Sequence, residues 1–317
     1  MRRLLILAAV AAAAATLFAA NRGLSPAENT AVAFNNRGVA YRGKAQYDRA
    51  IADFDEAIRL DPKFVFAFTG RGDVYALKAQ YDRAIADFDQ AIRLDPKYSL
   101  AFIGRGAAYG HEAEYDRAIA DFDEAIRLDP KYAFGFIGRG AVYALKAQYD
   151  RAIADFDQAI RLDPQQAVAF AGRGVANFST GQFAAAAHDF EQSLSLDARD
   201  GDVVLWLHLA RARSNRDDAQ ELASNATMVD PKTWPGPILA YYLRRIDADE
   251  VMRAAGNGSA DMPRNQSCQA YFFVGEDAVL RQDIDEAARL LRQARDTCPL
   301  DSFKHAAAEF ELKRLPK

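Results

Sequence analysis

The feature that most constrains this chain is one segment, VYALKAQYDRAIADFDQAIRLDP, that occurs twice without change. It begins at Val74 and again at Val142, and related copies lie between and before these two, because Asp-Pro recurs at 61–62, 95–96, 129–130 and 163–164. The spacing between successive Asp-Pro pairs is the same each time. A fixed period of about 34 residues with helix-forming content is typical of stacked helical hairpins. The sequence therefore predicts an all-α scaffold.

Placing each Asp-Pro proline at position 32 defines five repeats, at 31–64, 65–98, 99–132, 133–166 and 167–200. Position 8 is glycine, position 20 alanine, and positions 4 and 24 are phenylalanine in all five. Small residues let two helices approach closely, while the phenylalanines fill the space between hairpins. This pattern resembles the tetratricopeptide repeat (TPR) family. The resemblance implies a right-handed α-solenoid of antiparallel helix pairs that binds other proteins.

The rest of the chain departs from the regular repeat. Arg2-Arg3 and the Ala-rich run after them predict a signal peptide at 1–20, with a retained membrane anchor as the alternative. A lead-in follows at 21–30, then the repeat array at 31–233, whose sixth unit is degenerate. An irregular helical insert and loop are predicted at 234–266, and a final repeat-like hairpin with a capping helix at 267–317. Asp48 and its copies are predicted to cap the second helices.

The C-terminal third carries a narrower resemblance. Trp234, Tyr242-Leu243, the segment from Cys268 to Glu276, and Phe303 resemble NlpI-type tetratricopeptide proteins. That resemblance implies a periplasmic adaptor for peptidoglycan hydrolases and for a processing protease, often as a homodimer. Proteins of that type are outer-membrane lipoproteins, whereas this chain has no cysteine near its predicted cleavage region.

Arginine occupies position 7, where the family usually has leucine, and aspartate occupies position 23 of the facing helix. Both change to apolar residues in the sixth and last units. We expect a ladder of Arg–Asp pairs within the hairpins, because pairing satisfies both charges. The alternative is an arginine stripe that binds anionic ligands. The predicted pairs are Arg37–Asp53, Arg71–Asp87, Arg105–Asp121, Arg139–Asp155 and Arg173–Asp189.

The concave groove of such a fold is lined by positions 2, 5, 9 and 12 of the first helices. Here these positions are mostly apolar and small, which suits a peptide or helix partner. Tighter winding or a self-interface that covers the groove is the alternative. Specificity is expected where the copies diverge, in the first repeat and in the irregular third from Trp234 onward. The predicted partner-binding residues are Asn35, Asn36, Arg42, Phe66, Asp73, Leu100, Ile103, Phe134, Ile137 and Phe178.

The two cysteines, Cys268 and Cys298, occupy positions 1 and 31 of the final hairpin. The start of one helix lies beside the end of its antiparallel partner, so a structural disulfide is predicted for an exported chain. A redox-active pair usually has CxxC spacing, and metal ligation would need further ligands.

No catalytic constellation is expected. The four histidines are scattered and none belongs to an HExxH motif. With a net charge of -4, nucleic-acid binding is not expected, and neither a metal nor a cofactor is predicted. The predicted function is a non-catalytic adaptor in the cell envelope, in the bacterial periplasm or anchored to the inner membrane facing it. The alternative is a self-assembling scaffold whose groove holds a second copy.

Overall fold

The computed structural model describes residues 26–216, 218–256 and 263–316. These residues form α-helices and turns, and no strand occurs among them. The predicted signal segment at 1–20 lies outside the described residues. None of the described helices has the length and apolar character needed to cross a membrane. The described chain forms two compact units that divide between Val142 and Tyr143.

The N-terminal unit contains three complete hairpins and most of a further helix. In each of the three hairpins the first helix packs against the second, and the second helices of the first two hairpins pack against the first helix of the next one. The helices are α1 (Pro26–Gly43), α2 (Tyr47–Leu60), α3 (Val65–Leu77), α4 (Tyr81–Leu94), α5 (Ser99–His111), α6 (Tyr115–Leu128) and α7 (Ala133–Leu145), which crosses the division.

Phe54 shows how the glycines allow this packing. Its side chain is fully buried, and a Cβ added at Gly38 of its own hairpin would lie 2.9 Å from its ring. A Cβ added at Gly70 of the next hairpin would lie 2.6 Å from the same ring. Since real Cβ atoms do not come so near, both positions need glycine for close approach. The glycines at positions 8 and 6, here Gly38 and Gly70, therefore let neighbouring helices close around the phenylalanine of position 24.

The turn inside each hairpin is a Schellman motif built on alanine. In the second repeat the amide of Gln80 donates to the Tyr75 carbonyl at 2.8 Å, and that of Ala79 donates to the Ala76 carbonyl at 2.9 Å. Ala79 has φ of 55°, in the left-handed region that favours glycine. The equivalent alanines Ala45, Ala113 and Ala147 share this conformation, and the fifth repeat has Gly181 there.

The turn between repeats is set by the aspartate of Asp-Pro. The side chain of Asp61 accepts from the amide of Lys63 at 3.0 Å, which is an Asx turn. The predicted cap at Asp48 is wrong, because α2 begins at Tyr47 with Gln46 before it, so Asp48 lies inside the first turn. There it opposes the helix dipole and forms an ion pair with Lys78 at 2.5 Å.

The C-terminal unit begins with the second helix of the fourth repeat and the whole of the fifth repeat, and then becomes irregular. Its helices are α8 (Tyr149–Leu162), α9 (Ala167–Ser179), α10 (Phe183–Leu196), α11 (Gly201–Arg213), α12 (Ala219–Ala226), α13 (Gly236–Tyr242), α14 (Ala248–Gly256), α15 (Pro263–Leu280), α16 (Ile284–Thr297) and α17 (Phe303–Arg314). Helix α15 starts at Pro263, ahead of the start predicted for the final hairpin at 267. Trp206 is fully buried and contacts the rings of Phe178, Phe190, Phe272 and Phe273, forming the core.

Candidate functional site

The structure brings together the arginines and aspartates predicted to pair within hairpins. In the first repeat, Nε and Nη2 of Arg37 each donate to one oxygen of Asp53 at 2.7 Å. The bidentate geometry recurs in Arg71–Asp87 at 2.8 and 2.6 Å, Arg105–Asp121 at 2.8 and 2.7 Å, and Arg173–Asp189 at 3.0 and 2.5 Å. The other predicted partners, Arg139 and Asp155, belong to different units. These arginines therefore act within the fold.

A second carboxylate joins each interior arginine, and the sequence analysis missed it. Nη1 of Arg71 donates to Asp55 of the preceding repeat at 2.5 Å, and Nη1 of Arg105 donates to Asp89 at 2.5 Å. Arg139–Asp123 and Arg173–Asp157 repeat the contact. The sequence signal for this second contact was the Asp-x-Asp pattern at positions 23 and 25. The aspartate of position 23 binds the arginine of its own hairpin, and that of position 25 binds the arginine of the next hairpin. The guanidinium groups of Arg71, Arg105 and Arg173 thus each bind two successive hairpins, which leaves little of them for an anionic ligand.

The inner face, defined by positions 2, 5, 9 and 12 of the first helices, is more closed than predicted. Ile103, Ile137 and Phe178 were predicted to line an open groove, but all three are buried. In the third and fourth repeats, small residues at positions 9 and 12 let neighbouring first helices come close, which covers Ile103 and Ile137 at position 5. Phe178, at position 12 of the fifth repeat, is covered instead by the rings of Phe183 and Trp206. Phe66, Leu100 and Phe134 at position 2 remain half-buried, and Asn36 is exposed. The accessible part of the face is therefore a narrow band along position 2.

A polar cluster lies on this face where the first two repeats meet. Nη1 of Arg42 in α1 donates to Oδ2 of Asp73 in α3 at 2.5 Å, and both side chains are at most 6% exposed. Asn35, in the same helix α1, is also buried. Three residues that the sequence placed in the groove are therefore brought together. The corresponding residues of the next junction, Ala76 and Ala107, are apolar.

Aromatic residues flank the cluster at positions that the sequence analysis did not single out. Tyr98, at position 34 of the second repeat, lies edge-to-face with Phe66 at 5.5 Å between ring centroids. Tyr132, its copy in the third repeat, contacts Phe134 at 5.4 Å. Position 34 is aromatic in the first three repeats and polar in the next two, and this difference could have identified Tyr98 and Tyr132 from the sequence.

Burial dominates the electrostatics of the cluster. It raises the pKa of Asp73 to about 7, although the Arg42 guanidinium opposes the change. Burial and the negative charge of Asp73 also raise the pKa of Tyr132 to about 12, and the pKa of Tyr98 is raised by the same causes. Asp73 is therefore a carboxylate that one arginine does not fully stabilise.

In the C-terminal unit, Cys268 and Cys298 form a disulfide with a Cα–Cα distance of 4.7 Å. The bond ties the body of α15 to the residue that follows α16. Trp234, in the predicted insert, donates through Nε1 to Oε1 of Gln269 at 2.8 Å. The Tyr242 hydroxyl donates to the Phe273 carbonyl at 2.7 Å. The insert is thus bonded to the disulfide-linked hairpin by polar contacts.

A buried group of charges lies between α11, α15 and α17. Arg213 and Arg314 pair with Glu311 at 2.7 and 3.0 Å. The carboxyl of Glu276 is fully buried, and neither of its oxygens has a hydrogen-bond partner. Burial and the charge of Glu311 raise the pKa of Glu276 to about 8, so it is protonated at neutral pH. This group is internal to the unit and presents no open surface.

Sequence models of the tetratricopeptide repeat match the chain at residues 31–64, 101–132 and 140–202, and a model described as a TPR repeat matches 72–111. The matched segments follow the repeated hairpins seen in the structure. The chain is a tetratricopeptide repeat protein.

Solved structures show the same fold. A TPR protein from Thermus thermophilus, TTC0263, has 20% identity and a TM-score of 0.52, covering 57% of this chain and 98% of its own. PilW, described as a type IV pilus biogenesis factor, has 22% identity and a TM-score of 0.56, with 64% and 92% coverage. Pseudomonas aeruginosa pilF has 15% identity and a TM-score of 0.58, with 69% and 99% coverage. At these identities the likeness concerns the fold alone.

No curated protein matches the sequence. Membership of the family supports a protein–protein interaction scaffold, since tetratricopeptide repeats bind peptides and other proteins. In this TPR protein the arginine ladder is structural, whereas the Arg42–Asp73 pair, which has no counterpart at the next junction, lies on the inner face of the N-terminal unit. That face is the candidate functional site.

Proposed function

We propose that this TPR protein is a non-catalytic adaptor that binds an extended segment or helix of a partner protein along the inner face of its N-terminal unit. The observation that carries the proposal is the Arg42–Asp73 pair. The fold accepts alanine at the corresponding positions of the next junction, Ala76 and Ala107. A buried ion pair contributes little to stability compared with apolar residues, so its presence at one junction favours recognition.

The band beside the pair suits a protein partner. Phe66, Leu100 and Phe134 are half-buried at successive repeats, and Tyr98 and Tyr132 lie next to them. Aromatic side chains are enriched in protein interfaces because they offer a large contact area at low entropic cost. The band offers apolar contact to the partner segment, and the polar cluster at the first junction fixes where along the band that segment binds.

The proposed compartment is the cell envelope, with the bacterial periplasm as the site of action. The basic and Ala-rich pattern at 1–20 and the Cys268–Cys298 disulfide support export, because disulfides persist in oxidising compartments. The resemblance of the C-terminal third to NlpI-type adaptors supports partners among peptidoglycan hydrolases or a processing protease. Fractionation with N-terminal sequencing of the mature chain tests this, and an uncleaved chain in the cytoplasm would contradict it.

Site-directed photocrosslinking tests the binding face. A photoreactive phenylalanine analogue replaces Phe66 on the inner face and, as a matched control, Arg93 on the exposed side of α4. We expect reproducible partner adducts from position 66 and none from position 93. Equal adducts at both positions, or none at either, would refute binding through this face. Adducts of the chain with itself from position 66 would instead favour the self-assembled scaffold.

A further inference from the structure

The junction of the first two repeats contains two buried oxygen atoms without a hydrogen-bond donor. They are Oδ1 of Asn35 and Oδ1 of Asp73, in residues that are each 1% exposed. The other carboxylate oxygen of Asp73 is bound to Arg42, and the amide nitrogen of Asn35 donates to Asn36 at 3.5 Å. Both residues border one cavity of about 20 Å³, whose other walls are Val39, Arg42, Phe66, Thr69, Gly70 and Tyr98.

The polarity of this cavity is not needed by the fold. At the third repeat the counterparts of Asn35 and Asp73 are Ile103 and Ala107, and at the fourth they are Ile137 and Ala141. All four of those residues are buried and apolar. Leaving an acceptor buried without a donor is costly, and the same positions are filled at no such cost elsewhere in the chain. A donor supplied by a ligand would offset this cost.

We propose that this cavity binds a primary ammonium group, the end of a lysine side chain from a partner peptide. An ammonium has three donors and no acceptor, which matches two free oxygens, one of them on a carboxylate. A cavity of about 20 Å³ holds a group of the size of one water molecule. An ammonium fits that volume, whereas a planar guanidinium is larger.

The rim of the cavity suits the stem of a lysine. Asn35, Arg42 and Asp73 at the floor are buried, whereas Phe66 and Tyr98 at the rim are half-buried. A four-carbon stem can lie along such side chains while its charged end reaches the floor. Aromatic rings near a cation add a favourable interaction. The raised pKa of Asp73 agrees with this assignment, because a second cation would stabilise a carboxylate that Arg42 alone does not.

The assignment rests on the proposed peptide-binding function, and a small probe tests it separately from any partner. N-acetyl-lysine N-methylamide is titrated into the ¹⁵N-labelled full chain while the amide resonances of Gly70 and Asp73 are followed. We expect saturable shifts there and none at Gly104 and Ala107 of the next junction. The Nε-acetylated probe, which has lost the charge, is expected to bind at least about tenfold more weakly. Equal binding of the acetylated probe would overturn the proposal.

Two further measurements test whether the ammonium comes from a side chain and whether it binds in this cavity. Alanine N-methylamide carries a free α-amino group, and its binding in place of the lysine probe would overturn the assignment to a side chain. The double variant R42A/D73A reproduces the Ala76–Ala107 pair of the next junction, so it is expected to fold and to lose the lysine-dependent shifts. Retained shifts in this variant would also overturn the proposal.

The probe and the crosslinking experiment fail independently. Adducts at position 66 without lysine-dependent shifts would leave the adaptor function standing and remove the ammonium site. Lysine-dependent shifts without adducts would retain the site and remove the proposed partner binding.

Discussion

Replacing Arg105 with leucine separates a structural arginine from one that binds a ligand. Arg105 donates twice to Asp121, at 2.8 and 2.7 Å, and once to Asp89 at 2.5 Å. Its side chain is 20% exposed, and that of Asp121 is 9% exposed. The variant leaves Asp121 as a buried carboxylate without its cation, which should be strongly destabilising.

The magnitude follows from the burial of each carboxylate. Removing one partner of a buried ion pair costs about 3–5 kcal/mol, and the remaining exposure of Asp121 puts the expected loss near the lower end. Asp89 is 35% exposed and regains water, so losing its bond adds less than about 1 kcal/mol. We therefore expect the free energy of unfolding to fall by about 3 kcal/mol in R105L.

The sixth unit of the chain suggests a control variant in which the Arg–Asp pair is replaced by two leucines. The sixth unit has Leu207 and Leu222 at the positions of Arg105 and Asp121. The double variant R105L/D121L removes the unpaired charge, so its stability should stay within about 1 kcal/mol of the wild type. Arg127, whose side chain is 65% exposed and pairs with Glu124, is a surface control, and R127L should change stability by less than about 0.5 kcal/mol.

Urea unfolding followed by circular dichroism measures these differences, and amide hydrogen exchange in α5 and α6 locates them. A repeat contacts only its neighbours, so the loss should be concentrated in those helices. The buried Asp121 of R105L would be protonated more readily, so part of the loss should be regained as the pH falls from 8 to 5. A stability of R105L within about 1 kcal/mol of wild type would refute the ladder and favour an arginine stripe for ligands.

Three further outcomes are expected. Ala113→Gly replaces an alanine in the left-handed conformation, at φ of 59°, and should stabilise the chain by about 1 kcal/mol. Gly181→Ala places an alanine in that conformation and should destabilise the chain, and urea midpoints that move in the opposite directions would contradict this reasoning. Breaking the Cys268–Cys298 bond, which spans 30 residues, should cost about 3–4 kcal/mol, measured by unfolding C268S/C298S beside the wild type, and an unchanged midpoint would be inconsistent with a stabilising bond. The pKa of Glu276 is raised to about 8 from 4.5, so between these pH values the folded state binds a proton that the unfolded state does not, and stability should fall as the pH rises from 4.5 to 8. E276Q should lose this pH dependence of stability, and a pH profile identical to that of the wild type would show that the carboxyl does not titrate there.

Much of the N-terminal unit could be predicted because its repeats are nearly identical. The fixed spacing of Asp-Pro, the glycines at position 8 and the phenylalanine at position 24 imply the hairpins and their packing. The pairing of Arg71 with Asp87 also follows, since the two positions change together along the chain. The contact between Arg71 and Asp55 could not be read in the same way, because it depends on how one hairpin is rotated against the next.

The inner face shows the limit of the repeat pattern. The repeat period assigns positions to this face, but their accessibility was not predictable, because burial depends on the distance between successive first helices. Ile103 and Ile137 share the pattern of a groove and are covered. Asn35 and Asp73 also occupy groove positions, and the sequence shows that they are polar. That they border one cavity could not be predicted from the sequence.

By itself the sequence determined the repeat, the hairpin turns and the residues that fill the space between helices, because these depend on local conformation and a strict period. The tertiary structure decided which carboxylate each arginine binds in the next repeat, which groove positions remain open, and that Arg42 meets Asp73. Those features depend on contacts between elements distant in the chain, whose geometry is set by close packing of the hairpin stack within each unit.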